Sequence, residues 1–565
     1  GSEMCIRDST KTTHTTTHNK GETVNKTIRR VVTFTGILLA VLLLNLTWVQ
    51  AIHGPDLRDH PRNFARTQLN QFGHQRGQIT AGGVVLASSR LDPKTNKYHR
   101  VYNKNAEMWA PVTGYFSLYS RSGMEYFQDS ILSGKDDKLF NNRIVDLFTG
   151  RDPQGGNVAL TIKPAMQQAA WDALQTGVGA GPVIGGVVAI RPSTGAILAL
   201  ASSPSYDPTP LSSFDSTAVN NYDEQLRGMQ PSPLTNRATA EPLPPGSTFK
   251  VVTTAALLRK GVNASTPVNN APRTTLPDTV TTLENYGGEY CGGSTFAMAF
   301  AYSCNVPFAE LSRRLSIKEF QQAAKAFGIG DDYDLGVSEM SSTIGDISDS
   351  AALAQSAIGQ RNVALTPLQN AIIAATIANK GVRMKPYLVQ AQTSQDLSTL
   401  YEAKPKELNR ALSINEAKQL TDLMITAEQY AGGGNKLSVT VASKTGTAEH
   451  GSNSKNSIPY TWYIAFIPGR DVAVAVMVEG GPGVGLGSVG ATVAGPIGRA
   501  VLKASIGEST PQVSTPTYQT YPTYQTTPTY QSPTYSAPAV TPENTPENTG
   551  GTSTQSPNDE RGDGE

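Results

Sequence analysis

A serine and a lysine three positions apart offer the clearest nucleophilic chemistry in this chain. Ser247 and Lys250 form an S-x-x-K unit within residues 244 to 261, PPGSTFKVVTTAALLRKG. The unit lies at the start of a predicted helix, and Gly261 ends that helix. This spacing puts both side chains on one helix face. A buried lysine with a lowered pKa can accept the proton of the serine hydroxyl and so activate it. The unit alone is weak evidence, because a capping serine before a solvated lysine is common.

A second motif, S-x-N, is formed by Ser303, Cys304 and Asn305, and residues 444 to 447 match a third, K-T-G-T. With S-x-x-K they follow the chain order found in penicillin-interacting serine enzymes. Ser303 is predicted to relay a proton between the leaving amine and the bases, and Asn305 to hold a substrate amide. The middle residue of the S-x-N motif varies in this superfamily, so Cys304 is not expected to prevent activity.

The K-T-G-T motif provides a cation and two hydroxyl groups. Lys444, Thr445 and Thr447 are predicted to bind the terminal carboxylate of a substrate. Lys444 would also act as the second cation that lowers the pKa of Lys250.

Two backbone features complete the predicted site. Gly446 is expected to let an extended substrate lie against the edge of a strand at 438–443. The oxyanion donors are predicted to be the backbone N–H groups of Ser247 and Thr447.

Runs of apolar residues predict the strands and helices that must position these residues. Two early strands, central helices and three late strands predict an α/β domain whose sheet joins both ends of the domain. The predicted strands are 183–190, 196–202, 438–443, 461–467 and 472–478. Ahead of them, a short strand from Val158 leads into a helix that carries Met166, Ala170 and Leu174 on one face.

Residues 53–156 are predicted to form a small accessory domain, and 157–506 the catalytic domain. The accessory domain has strand-like pieces at 83–87 and 98–102 and a predicted helix at 123–132.

Residues 31–52 are uncharged and apolar, and long enough to cross a membrane as one helix. Lys26, Arg29 and Arg30 precede them, so the positive-inside rule places 24–30 in the cytoplasm and the chain after Ile52 outside. Trp48 suits the far interface. A cleaved signal peptide is the alternative, although this stretch is longer than a usual signal core and lacks a good cleavage site.

Both ends of the chain are predicted to lie outside the folded domains. Residues 1–23 are interpreted as a non-native or disordered leader, with Val24 as the natural start. Residues 507–565 are rich in Pro, Thr, Tyr and Gln and predict a disordered tail.

Composition argues against several other functions. Lys plus Arg is 47 against 46 for Asp plus Glu, so no basic field would gather nucleic acid. The seven histidines are scattered, which predicts no metal site, and no cofactor is expected. Glu449 and His450 follow K-T-G-T, but a Ser/His/Glu hydrolase is not favoured because no G-x-S-x-G elbow surrounds a serine.

From Asn25 to about Gly507 the chain resembles the class B penicillin-binding proteins, and most closely their actinobacterial PbpA type. Besides the three motifs, the resemblance is carried by Arg76-Gly77-Gln78-Ile79, by the NKTIRR start and by ATVAGPI at 491–497. It implies a β-lactamase-like transpeptidase fold, with an antiparallel five-stranded sheet flanked by helices, on a small α+β N-terminal pedestal domain.

The resemblance also implies an activity and partners. Ser247 would be acylated by a peptidoglycan stem peptide ending in D-Ala-D-Ala, D-Ala would leave, and the amine of a neighbouring strand would attack. β-Lactams would acylate the same serine. Strand polymerisation would come from a SEDS-family partner in the same membrane, acting on lipid-linked precursors.

Cys291 and Cys304 are close in sequence and lie in the part predicted to be extracellular, where disulfides persist. A bridge between them would pin the loop of Ser303 and Asn305, and two buried free thiols are the alternative.

Three other functions compete with transpeptidation. They are a membrane-tethered β-lactamase, a β-lactam sensor that signals inward, and a catalytically silent scaffold of the division or elongation machinery. The anchor and accessory domain argue against the first, and the three intact motifs argue weakly against the last. A bifunctional class A enzyme is disfavoured because about a hundred residues are too few for a glycosyltransferase domain.

Overall fold

A computed structural model describes residues 20–51, 72–139, 148, 154–432, 436–451 and 456–507. The predicted leader up to residue 19 and the predicted tail from residue 508 lie outside the described residues. The strands are β1 Ile79–Ala81, β2 Val84–Asp92, β3 Lys97–Tyr102, β4 Asn157–Leu160, β5 Ile184–Ile190, β6 Ile197–Ser203, β7 Arg273–Thr275, β8 Thr282–Glu284, β9 Val382–Met384, β10 Val389–Thr393, β11 Thr399–Glu402, β12 Glu407–Arg410, β13 Ala442–Ala448, β14 Tyr460–Phe466 and β15 Ala473–Gly480.

The α-helices are fewer than the strands among the described residues, and several are only one or two turns long. They are α1 Lys20–Ala51, α2 Ala106–Thr113, α3 Gly123–Phe127, α4 Asp129–Leu132, α5 Pro164–Thr176, α6 Ser216–Gly228, α7 Lys250–Leu258, α8 Phe296–Ala301, α9 Asn305–Leu311, α10 Ile317–Ala326, α11 Ser350–Ser356, α12 Pro367–Ala378, α13 Ile414–Tyr430 and α14 Ala494–Ile506.

The central sheet has five strands in the order β13-β14-β15-β5-β6, and every neighbouring pair is antiparallel. This confirms the predicted α/β fold, in which two early strands join three late ones. Successive residues of a strand point to opposite faces. Accordingly Val188 packs with α7 and α12 in one hydrophobic cluster, and Val187 packs with α5 and α14 in another. The sheet is therefore covered by helices on both faces.

The predicted strand at 438–443 is wrong in its position. The strand is β13, which starts at Ala442 and continues through the K-T-G-T motif to Ala448. Its bounds follow from its partner, because all seven residues of β13 pair in register with β14. A search for apolar runs misses this, since the motif itself supplies the strand residues.

A second sheet joins distant parts of the chain. Its order is β11-β10-β4-β1-β2-β3, so β4 lies between β1 of the accessory region and β10, which follows β4 about 230 residues later in the chain. We did not predict β10 and β11, because both are short and polar. The backbone pairing of β4 with β1 and with β10 ties the N-terminal region to the rest of the chain.

The predicted helix at 123–132 is two short helices, α3 and α4, which Gln128 separates. Gln128 has non-helical backbone angles. The break places Asp129 where its carboxylate binds the Arg76 guanidinium at 2.5 Å.

The N-terminal region encloses a buried carboxylate held by two arginines. Glu125 is fully buried, and its oxygens lie 2.6 Å from Arg76 Nε and 2.5 Å from Arg100 Nε. Arg100 also donates to the carbonyl of Gly77, the second residue of the R-G-x-I box. The box therefore has a structural use, which is to place Arg76 against this carboxylate.

We expect Glu125→Gln to lower the free energy of unfolding by about 3 kcal/mol, because Arg100 would stay buried without its counter-charge and Arg76 would keep only Asp129. Urea denaturation followed by tryptophan fluorescence measures the loss, since Trp109 is buried in this region. Glu107→Gln is the matched control, because Glu107 is an exposed carboxylate nearby. Equal midpoints for the two variants would contradict the prediction.

The helix α1 contains the predicted membrane segment as far as Ala51; Ile52 lies outside the described residues. Its residues Lys26–Gln50 are long and apolar enough to cross a membrane, and their apolar side chains are exposed. The helix begins at Lys20, so Lys26, Arg29 and Arg30, which precede the predicted membrane segment, lie within the same helix.

Candidate active site

Ser247 lies in a tight turn that hydrogen bonds to two neighbouring segments hold in place. The turn is a 3-10 helix, Gly246–Phe249, and α7 begins only at Lys250. The Gly246 N–H donates to Gly359 O at 3.0 Å, and the Trp462 indole donates to Pro244 O at 2.8 Å. The Ser247 side chain is partly exposed, and its hydroxyl has no hydrogen-bond partner among the described residues.

Glycine is required at position 246 because the turn touches the K-T-G-T strand. Gly246 has a φ of +52°, and a Cβ there would lie 2.6 Å from Thr447 O. The backbone around Ser247 and that around Thr447 are therefore in contact, as the predicted oxyanion donors require. Their N–H roles stay predictions.

Lys250 is fully buried, and its ammonium group donates hydrogen bonds to three oxygen acceptors of the S-x-N segment. The Nζ atom donates to Ser303 O at 2.6 Å, to Cys304 O at 3.1 Å and to Asn305 Oδ1 at 2.8 Å. Burial lowers the pKa of Lys250 well below its ordinary value, and the charge of Lys444 lowers it further. The three acceptors oppose this shift, but burial dominates.

Lys444 forms the other half of a two-lysine cluster. It is 1% exposed, and its Nζ donates to Ser303 Oγ at 2.8 Å and to Thr445 O at 2.9 Å. Burial lowers the pKa of Lys444 to about 7. Two aromatic rings line the cluster: Lys250 Nζ lies 5.3 Å from the Phe308 centroid, and Lys444 Nζ lies 5.9 Å from that of Phe300.

Ser303 connects the two lysines. Its carbonyl accepts from Lys250 and its hydroxyl accepts from Lys444. Its φ of +62° is uncommon for a residue with a side chain and is stabilised by these bonds. A serine hydroxyl between two amines is well placed to pass a proton.

The K-T-G-T residues lie on β13, at one edge of the five-stranded sheet. Thr445 pairs with Tyr463 and Gly446 with Trp462. A Cβ on Gly446 would lie 2.5 Å from Pro245 O, so the nucleophile turn itself requires this glycine. Thr447 Oγ1 accepts from the Gly490 N–H at 3.3 Å.

Behind the strand, Ser443 contacts a buried carboxylate. Glu428 of α13 accepts from Ser443 and from Tyr463, and binds Arg499 of α14 at 2.7 Å. This network fixes the strand residue that precedes Lys444.

In the structure Cys291 and Cys304 form a disulfide, with their Cα atoms 5.8 Å apart. Sequence reasoning missed a neighbouring residue, Asn285, whose amide oxygen accepts from the Asn305 and Val306 N–H groups. No motif marks Asn285, since its role depends on a contact between separate loops. Gly359 and Trp462, which hold the Ser247 turn in place, were missed for the same reason.

His450 is occupied elsewhere. Its ring stacks on Tyr460 with centroids 3.9 Å apart, and its Nε2 lies 2.8 Å from Ile458 O. In the described part of the chain, no group of three or more His, Cys, Asp or Glu side chains is arranged to hold a metal ion.

Comparison with known families and proteins agrees with this geometry. Residues 185–503 match the penicillin binding protein transpeptidase domain, and residues 76–158 match the penicillin binding protein A dimerisation domain. The peptidoglycan D,D-transpeptidase PbpA of Mycolicibacterium smegmatis is 49% identical over 497 residues, which cover 86% of this chain and 100% of that protein. The PbpA of Mycobacterium tuberculosis is 46% identical over 493 residues, covering 86% and 99%.

Solved structures show the same fold. Penicillin-binding protein A from M. tuberculosis, as a ceftriaxone acyl-enzyme complex, has a TM-score of 0.75 and 48% identity, and covers 78% of this chain and 100% of that one. Its penicillin G acyl-enzyme complex has a TM-score of 0.73 at 48% identity, with 77% and 100% coverage. This chain therefore belongs to the penicillin-binding protein transpeptidase family, as a class B member of the PbpA type.

Proposed function

We propose that this chain is a peptidoglycan D,D-transpeptidase that cross-links stem peptides through an acyl-enzyme on Ser247. The observation that carries the proposal is the hydrogen-bonded cluster of two buried lysines, Lys250 and Lys444, with the half-buried Ser303 and Asn305, beside a partly exposed serine. The PbpA relatives bear that activity in their names, and the related solved structures are β-lactam acyl-enzymes. β-Lactams should therefore acylate Ser247 here and inhibit the enzyme.

In the acylation step the Ser247 hydroxyl gives its proton to Lys250 as its oxygen attacks the carbonyl of the penultimate D-Ala. A neutral amine has two N–H donors, so Lys250 can keep its shorter bonds to Ser303 O and Asn305 Oδ1. Its lone pair then replaces the long contact to Cys304 O and turns towards Ser247. Because burial and the charge of Lys444 lower the pKa of Lys250, this neutral form is more accessible than it is for an ordinary lysine.

The remaining steps use the rest of the cluster. The C–N bond to the terminal D-Ala breaks, and its amine takes a proton through Ser303. Lys444, Thr445 and Thr447 hold the terminal carboxylate, and Asn305 holds a substrate amide. The amine of a second stem peptide then attacks the acyl carbon, returns its proton through the same groups and releases Ser247.

The cellular setting is also a proposal. Lys26, Arg29 and Arg30 support an N-terminus inside, with the catalytic domain outside the cytoplasmic membrane. Cross-linking also needs polymerised glycan strands, and we propose that a SEDS-family glycosyltransferase in the same membrane supplies them.

The test uses the full chain in detergent, a donor peptide ending in D-Ala-D-Ala and an amine acceptor. We expect release of one D-Ala per cross-linked product, measured by mass spectrometry, and a penicillin adduct that lasts for hours. Rapid hydrolysis of penicillin would instead identify a β-lactamase. Folded protein that forms neither product nor adduct would identify a silent scaffold.

A further inference from the structure

We propose that Asn285 is a positioning residue for acylation of Ser247, because its amide fixes the start of α9 and so holds the Asn305 oxygen on Lys250. The inference rests on the proposed function. It concerns a loop that no sequence motif includes.

Asn285 supplies a helix cap that the local sequence lacks. The first N–H groups of a helix have no partner within it. The residue at the cap position is Cys304, whose side chain makes no capping bond. Asn285 Oδ1 accepts from the N–H groups of Asn305 at 2.8 Å and Val306 at 3.0 Å. A side chain twenty residues upstream therefore does the work of a local cap.

Asn285 is itself held rigidly. It is 6% exposed, and its Nδ2 donates to the carbonyls of Ala271 and Glu289, both at 3.0 Å. Its backbone N–H donates to Pro272 O at 2.9 Å. These bonds fix which end of the amide faces α9, so the acceptor oxygen cannot turn away without leaving buried groups unpaired.

The neighbouring residue orients the Asn305 side chain. Glu284 O accepts from Asn305 Nδ2 at 3.0 Å, which leaves Oδ1 directed at Lys250 Nζ, 2.8 Å away. The disulfide Cys291–Cys304 is a second link between the same two segments of the chain. The pair Glu284 and Asn285 thus sets both the backbone and the amide of Asn305.

Loss of this support has a specific electrostatic consequence. Asn305 Oδ1 is an acceptor that stabilises the Lys250 ammonium, so its displacement makes protonation less favourable. The pKa of Lys250 then falls further. The base also loses one of the bonds that place it near Ser247.

The experiment measures the second-order rate constant for acylation by a fluorescent penicillin from pH 5 to 9, using the full chain in detergent. We expect Asn285→Ala to reduce the rate at neutral pH about 10- to 100-fold through misplacement of the base. We also expect its acid limb to move to lower pH. Asn285→Asp keeps an acceptor for both N–H groups and should acylate faster than Asn285→Ala.

Two comparisons separate positioning from general loss of stability. Asn409→Ala likewise removes a structural amide, one that accepts from Arg383 Nε and donates to Ala326 O, and should leave the pH profile unchanged. In an Asn305→Ala background, Asn285→Ala should no longer move the acid limb, because the residue through which it acts is absent.

The inference is overturned if Asn285→Ala keeps the wild-type rate and limb, or if it differs from Asn409→Ala only in the folded fraction. It is also overturned if the limb shift persists without the Asn305 amide. A wild-type protein that is acylated but forms no cross-links would refute the proposed function alone, since every comparison above uses acylation only.

Discussion

Replacement of Ser247 by alanine is expected to abolish the covalent penicillin adduct and to reduce D-Ala release about 10⁶-fold, as for other nucleophile knock-outs. The reason is direct: the other hydroxyl of the turn Gly246–Phe249, that of Thr248, is buried and donates to Pro245 O at 3.0 Å, so it cannot replace Ser247 as nucleophile. Because the Ser247 hydroxyl makes no hydrogen bond to the described residues, its removal should leave the fold intact.

The measurement is intact mass after incubation with penicillin, together with circular dichroism of the unliganded variant. Ser505→Ala is the matched control, since it removes a half-buried serine hydroxyl from α14, and it should acylate normally. An adduct of the same mass on folded Ser247→Ala would place the nucleophile elsewhere.

Replacement of Lys250 by methionine is expected to slow acylation about 10²- to 10⁴-fold, the usual contribution of a positioned general base. Methionine fills a similar volume, so the buried space stays occupied. The oxygens of Ser303, Cys304 and Asn305 lose their donor, which makes some loss of stability an expected secondary effect.

The roles assigned to Lys250 and Lys444 predict how the acylation rate of the wild-type enzyme depends on pH. Lys250 must be neutral to accept a proton, so the acylation rate rises with pH as it loses its proton. Lys444 must be charged to bind a carboxylate, so the rate falls as pH passes its pKa of about 7. Because the two lysines interact, the two limbs of the pH profile report the titration of the pair and not of either lysine alone.

Second-order acylation rates across pH 5 to 9 test both points. We expect a bell-shaped profile for the wild type and loss of the acid limb in Lys250→Met. Lys325→Met, at an exposed lysine of α10, should keep the full profile. A flat wild-type profile, or near-normal acylation by Lys250→Met, would assign the base to another group.

The three motifs predicted the site because each residue type is tied to its chemistry. Ser303 and Asn305 are brought to Lys250, and Lys444 to Ser303, as the motif order implies. The five-stranded sheet was equally predictable, since buried strands such as β5 and β14 are continuous apolar runs. Short polar strands such as β10 carry no such signal.

What the sequence could not reveal depends on contacts between separate segments. Asn285 is one of many asparagines until the fold places it under α9. Likewise, pairing with β14 determines where β13 begins and ends. Glycine is required at position 446 because a Cβ there would collide with Pro245 O. Each is a property of two segments together, whereas motifs and periodicity describe one segment at a time.

The second sheet makes the two parts of this enzyme inseparable as modules. A chain cut before β4 would lose β1 to β3 and leave the backbone of β4 open along one side, ready to pair with another copy. Exchange of the N-terminal part between relatives would have to preserve the pairing of β4 with both β1 and β10. Functional recombinants between relatives should therefore inherit residues 76 to 402 from one parent.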